Sequence, residues 1–345
     1  MDVIRNSLAG LAIVALGFGI AAHTSGEAAA QTDVRFSLDW NFEGPAAPFL
    51  IALDKGYFED EGLNVTIDTA PGSLEPINRV ASGTYDMGFG DINSLIKFRD
   101  ANPDADLRAV YMVYNKPAFS IVGRKSLGIS EPKDLEGRTL GAPAPDGAYA
   151  QWPIFVEAND IDASAVTIEN IGFPVREPML AAGDVDAITG FSFSSFINLK
   201  RAGVDEDDIT VMLMADHGVE LYGNAIFVSQ SFAEQNPDAV RGFLAAFTKG
   251  MHDTIADPAA GAAVVVQHNQ VANVESETER LEIALRENMV TDEVRDIGLG
   301  AIKEERLARA IEQIALTYDF QQAPPEPGDV FDDAYLPPQE ERQVD

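Results

Sequence analysis

The sequence predicts an α/β chain built on mixed, mostly parallel sheets with helices on both faces. Two observations lead there. Past residue 31, short runs rich in β-branched and aromatic residues alternate with apolar or amphipathic runs of helical length. This strand–helix–strand alternation runs through the first half and begins again in the middle, the pattern of parallel sheets covered by helices. With 345 residues, 46% of them hydrophobic, the chain can bury a large core in one or two domains.

The elements follow in order. VRFSLDW reads as a strand, APFLIALDKGY as a helix stopped at Gly56, and NVTIDTA as a strand. EPINRVASG is a helix closed by Gly83, YDMGFG a short strand, and DINSLIKFRDANP a helix with a Pro stop. DLRAVYMVY and PAFSIVGRK are strands. EPKDLEG is a turn or short helix, RTLGAP a strand, and DGAYAQWPIFVEAN a helix interrupted near Pro153. VTIENIG, VDAITGF and ITVMLMAD are strands, separated by the helices REPMLAAGD and SFINLKRAG. NAIFVSQSF is strand-like. NPDAVRGFLAAFTKGMHDTIAD is an amphipathic helix whose Asn-Pro-Asp start predicts a capped N-terminus. The rest is helical up to a Pro-rich, acidic tail, expected to be extended, with Phe331, Tyr335 and Leu336 as its docking residues.

Composition excludes several functions. Acids outnumber bases 56 to 24, a formal charge of −32, so nucleic acid and anionic membranes are poor partners. No Cys is present, which excludes disulfides, thiolate metal sites, thiol catalysis and a lipoprotein anchor. Residues 1–30 read as a signal peptide: a short start, the apolar run LAGLAIVALGFGIAA, and Ala28 and Ala30 at cleavage spacing before Gln31. An uncleaved N-terminal anchor is the rival reading. Past residue 31, His217, His252 and His268 show no metal-ligand spacing, and nucleotide-binding and nucleophile motifs are absent. No cofactor, metal or catalytic residue is therefore expected.

KGYFEDEGLNV, EPINRVASGTYDMGFGD, PKDLEGRTLGAP, REPMLAAGDVDAITGF and NPDAVRGFLAAFTKG occur in this order. In these motifs the chain resembles the nitrate/sulfonate/taurine and thiamine-pyrimidine-precursor group of ABC-transporter substrate-binding proteins. The resemblance implies a type II periplasmic-binding fold with two lobes: residues 31–116 plus 226–345, and residues 117–225. Two crossover strands, near NKPAFSIV and LYGNAIFV, would form the hinge. It also implies a small-molecule solute held in the cleft, an ABC permease with its ATPase as partner, a periplasmic location and a monomer. A sensor subunit on the same fold is a further possibility. A eukaryotic pyrimidine synthase resembling this family relies on a Cys-rich iron motif, and this chain has no Cys.

In such folds ligands meet the carboxyl ends of the strands, which selects the candidate residues. After the first strand come Asp39, Trp40 and Asn41, an aromatic face between polar groups; the alternative is a packed Trp with capping neighbours. After the third strand come Gly90, Asp91 and Asn93, ligand contacts or a plain N-cap. Asp146, Gly147 and Tyr149 open a helix whose N–H groups are free for an anion or carbonyl. Arg176 either clamps an acidic ligand or bridges to a neighbouring acid. Phe191 or Phe193 offers stacking, and Tyr222 and Asn224 lie at the second crossover. This aromatic, acidic set suits a flat, donor-bearing nitrogen compound better than a simple anion, although a sulfonate, taurine or nitrate ligand remains the alternative.

Overall fold

A computed structural model describes residues 31–344; the leader read at residues 1–30 lies outside them. The described residues form two five-stranded sheets. The strands are β1 (Thr32–Ser37), β2 (Leu63–Asp68), β3 (Met87–Asp91), β4 (Leu107–Met112), β5 (Phe119–Arg124), β6 (Thr139–Ala142), β7 (Thr167–Asn170), β8 (Ala187–Phe191), β9 (Ile209–Leu213) and β10 (Asn224–Ser229). The first sheet has the order β2-β1-β3-β10-β4 and the second β7-β6-β8-β5-β9. β1 is parallel to β2 and β3, and β6 to β7 and β8. β10 runs antiparallel to β3 and β4, and β5 to β8 and β9. Each sheet therefore reverses one strand, and it is the strand entered directly after the chain crosses from the other sheet. This is the two-lobed α/β arrangement with mixed sheets.

The chain crosses at residues 113–118 and 214–223. Asn224 and Ala225, assigned above to the second lobe, belong to the first sheet, because their backbones pair with Asp91 and Gly90 of β3. Parallel strands carried to and fro by helices all end on one edge of their sheet, so the loops after β1, β3, β6 and β8 converge on the space between the lobes.

The first lobe's core is a chain of aromatic rings. Phe36 of β1 packs on Phe49 at 5.1 Å and on Phe243 at 4.8 Å, and Phe247 meets Phe49 at 4.3 Å. Gly56 takes φ +75° after the helix Ala47–Asp54, the left-handed conformation that Gly adopts without a Cβ penalty. The turn swings Phe58 under the helix Pro237–Ala256, where it stacks on Phe243 at 4.8 Å. That long helix starts differently from the expectation. The Asn236 side chain donates back to the Phe232 carbonyl, and Pro237, lacking an N–H, removes one orphan donor instead.

The same helix crosses Ala47–Asp54 very closely. A Cβ on Gly250 would lie 2.1 Å from the Pro48 carbonyl oxygen. Backbone cannot yield as a side-chain tip can, so Gly250→Ala should destabilise by about 3 kcal/mol, the upper range for overpacking. A urea midpoint unchanged from the parent would contradict this packing.

The acidic tail is ordered rather than simply extended. Phe331 is buried and bridges to Ala109 of β4, and the Asp332 N–H donates to the Ala109 carbonyl at 2.9 Å. Arg342 is buried as well, donating to the carbonyls of Pro337 and Leu299, each at 2.7 Å.

Candidate ligand-binding site

A cavity of about 610 Å³, its open mouth included, lies between the lobes. Asp39, Trp40 and Asn41 line it from the loop after β1, and Asp146 and Gly147 from the loop after β6. Arg176, Phe191 and Phe193 complete the expected residues on its wall. The lobes meet tightly at the rim. Gly72, at φ +88°, lets the two backbones approach: a Cβ there would lie 2.7 Å from the Pro145 carbonyl oxygen. The Trp40 ring meets Phe173 of the other lobe edge-on at 4.8 Å.

Asp39 is buried, and its Oδ2 accepts from Asn224 Nδ2 at 2.6 Å and Ser73 Oγ at 3.0 Å. Burial pushes its pKa up to about 7, with these two hydrogen bonds pulling the other way. Both of these side-chain donors meet Oδ2, and its Oδ1 is bonded by no other side chain among the described residues. Asp146 is also buried, accepting from Thr189 Oγ1 at 2.9 Å. Burial raises its pKa, and Arg176 partly offsets this.

Arg176 resolves to the bridging alternative. Its Nε and a terminal nitrogen donate to Glu177 Oε1 at 2.9 and 2.7 Å, and Asp146 lies 3.8 Å away. Burial disfavours the cation, but Glu177 and Asp146 outweigh it and keep the guanidinium charged. Its charge is thus already compensated within the second lobe.

Six expected residues lie off the cavity wall. Asp91 caps the helix Ile92–Ala101, accepting from the N–H groups of Asn93 and Ser94 at 3.0 and 2.9 Å. Asn93 donates to Asp91 and to the Tyr222 carbonyl, both at 2.7 Å. Gly90 packs behind Ser73 and Phe227. Tyr149 packs with the buried apolar side chains at the inner ends of the sheets. The Tyr222 hydroxyl donates to Glu293 and accepts the Lys303 N–H at 2.9 Å, so it braces the crossover instead of reaching the cleft. Asn224 acts one step removed, as the donor that orients Asp39.

The structure adds wall residues not selected from sequence. Glu43 accepts from Trp40 Nε1 at 3.1 Å and from Ser194 Oγ at 2.7 Å. Tyr114 lines the cavity beside Phe89 at 5.4 Å and Phe193 at 5.8 Å, and its hydroxyl has no hydrogen-bond partner among the described residues. Burial, with Asp39 and Glu43 nearby, holds that phenol neutral well above its ordinary range. The site therefore combines aromatic faces, three carboxyls, one compensated Arg, the Tyr114 hydroxyl and an Asp39 oxygen that no other side chain engages. Such a set offers carboxylate acceptors and a neutral phenol that can donate or accept.

Comparisons with known proteins agree with this architecture. A riboflavin-binding protein of Chloroflexus aurantiacus is 26% identical over 214 residues, 61% of this chain and 59% of that protein. The match thus spans less than two thirds of that relative. A formylaminopyrimidine-binding protein of Halalkalibacterium halodurans is 27% identical over 276 residues, 76% of this chain and 80% of the relative. Among solved structures, the periplasmic aliphatic sulphonate binding protein of Escherichia coli superposes with a TM-score of 0.68 at 15% identity, covering 91% of this chain and 92% of that one. Residues 45–261, more than half the sequence, match the family model described as NMT1/THI5 like, and the chain belongs to that family.

Proposed function

We propose that the chain is the solute-binding component of an ABC importer, which captures a small nitrogen-bearing aromatic solute between its lobes and delivers it to a membrane permease from the periplasm. The observation that carries this reading is the pairing of Asp39, a buried carboxylate with one oxygen that no other side chain engages, with the aromatic walls of Trp40, Phe173 and Tyr114. A ring with N–H donors would stack on the aromatic faces and donate to Asp39. The relative named for binding a formylaminopyrimidine supports that class of solute. An anion is disfavoured because the one cation on the wall, Arg176, is already held by Glu177 and Asp146. No histidine lines this cavity and the chain has no Cys, which leaves little for a catalytic reading.

Isothermal titration with aminopyrimidines, flavins and aliphatic sulfonates tests the proposal. Binding confined to nitrogen heterocycles supports it, and binding confined to sulfonates overturns it. Trp40→Ala should weaken a bound heterocycle by more than about thirtyfold, the scale of an aromatic hot spot. Its thermal midpoint should stay near the parent's, because Trp40 is only partly buried. Normal affinity together with a collapsed midpoint would make Trp40 a core residue instead.

A further inference from the structure

We propose that Arg280 is the latch that holds the lobes together over the cavity, and that Glu43 couples this latch to the cavity wall. The inference rests on the reading that the cavity takes a solute. Arg280 is fully buried on the helix Val274–Ala284 of the first lobe. Within that lobe its Nε donates to Glu277 Oε2 at 2.9 Å and a terminal nitrogen to Oε1 at 3.3 Å. Glu277 is fixed in turn by the Gly44 N–H at 2.7 Å.

The remaining donors of the fork cross the cleft. One terminal nitrogen donates to the Ser194 carbonyl at 3.2 Å and the other to Asn198 Oδ1 at 3.1 Å. Both acceptors sit on the helix Ser192–Arg201, which follows β8 of the second lobe. Glu43 lies 3.2 Å from the guanidinium and accepts Ser194 Oγ on one oxygen and Trp40 Nε1 on the other. An ion pair serving the first lobe alone would need only Glu277. A planar guanidinium with five donors can hold its own lobe's acids and the facing helix at once, which a Lys cannot. Separating the lobes leaves Arg280 paired with Glu277 and Glu43 but removes both contacts to the facing helix. A ring seated on Trp40 fixes the indole N–H that positions Glu43, so occupancy and closure share one carboxylate.

The test acts from the second-lobe side, where no buried charge is orphaned. Ser194→Ala with Asn198→Ala removes the Glu43 contact and one guanidinium contact and leaves Arg280 fully paired within its own lobe. Because the native chain lacks Cys, Asp60→Cys and Glu169→Cys, at exposed positions on different lobes, give a single pair of spin labels. Pulsed electron–electron resonance on the labelled free protein should show a ratio of separated to closed lobes about tenfold higher in the double variant. With formylaminopyrimidine as probe, dissociation should speed up about tenfold while association stays the same. An unchanged distance distribution overturns the latch. Failure of the probe to bind counts against the solute reading alone, since the label distances decide the latch without it.

Discussion

Asp39→Asn is expected to weaken a donor-bearing solute by about ten- to a hundredfold and, at pH 8, to raise the melting temperature of the free protein. The two effects have one cause. Above pH 7 Asp39 carries a charge in a site that disfavours it, and burial is the largest contribution to that pKa of about 7. In the unfolded chain the group returns to the ordinary value of 3.8. Between these values the folded protein binds more protons than the unfolded one, so stability from this group falls as pH rises towards 7 and levels off above it. Asn is the neutral isostere. Its carbonyl oxygen can still accept from Asn224 and Ser73, so its gain should be large at pH 8 and vanish near pH 4. Binding runs the opposite way, because the carboxylate makes the stronger, charge-assisted bond to a ligand N–H. Affinity of the parent should therefore drop as pH falls through about 7, while the Asn variant stays flat. Calorimetry and thermal melts at pH 5, 6, 7 and 8 check both. A variant that melts lower at every pH would show Asp39 to be a structural acid.

Arg280→Met should destabilise the first lobe by about 3–5 kcal/mol, the scale for breaking a buried pair from one side. Glu277 is 1% exposed. Without the guanidinium it keeps only the Gly44 N–H among its present partners. Met fills the volume but supplies no donor. Equilibrium urea unfolding measures the loss, and the Ser194/Asn198 double variant is the control expected to stay near the parent. A Met variant as stable as the parent would mean that Glu277 takes up a proton or reaches water at little cost.

These residues also show what could be read in advance. The strand–helix alternation and the glycine stops marked most elements, because periodicity and backbone restriction are local properties. Asp39, Trp40, Asp146 and Phe191 were legible as strand-end residues, since strand ends in such sheets share one edge. The same logic left Asp91 and Asn93 open between ligand contact and N-cap, because an acid opening a helix looks identical in sequence whether it caps that helix or faces a ligand. Arg176 was undecided because its partner, Glu177, is its own neighbour and gives no distant signal. Glu43, Ser73 and Tyr114 were not selected because they come from a helix entry, a loop and the crossing segment, far apart in sequence and brought together only by the folding of the first lobe. Arg280 stands in an ordinary amphipathic run, SETERLEIALREN, and nothing local distinguishes a buried guanidinium from a solvated one.

The two reversed strands differ in what they ask of the growing chain. β5 is the first strand of its sheet to be made, and β6 through β9 follow within residues 139–213, so the second lobe completes itself from one uninterrupted stretch. The first sheet is left with a vacancy between β3 and β4 until β10, Asn224–Ser229, arrives more than a hundred residues later. Until then both flanking strands present unsatisfied backbone edges, and the loop that must close is long, which slows folding. The inserted lobe can thus mature while its host is still open, and the last third of the polypeptide sets the moment at which the whole molecule becomes native.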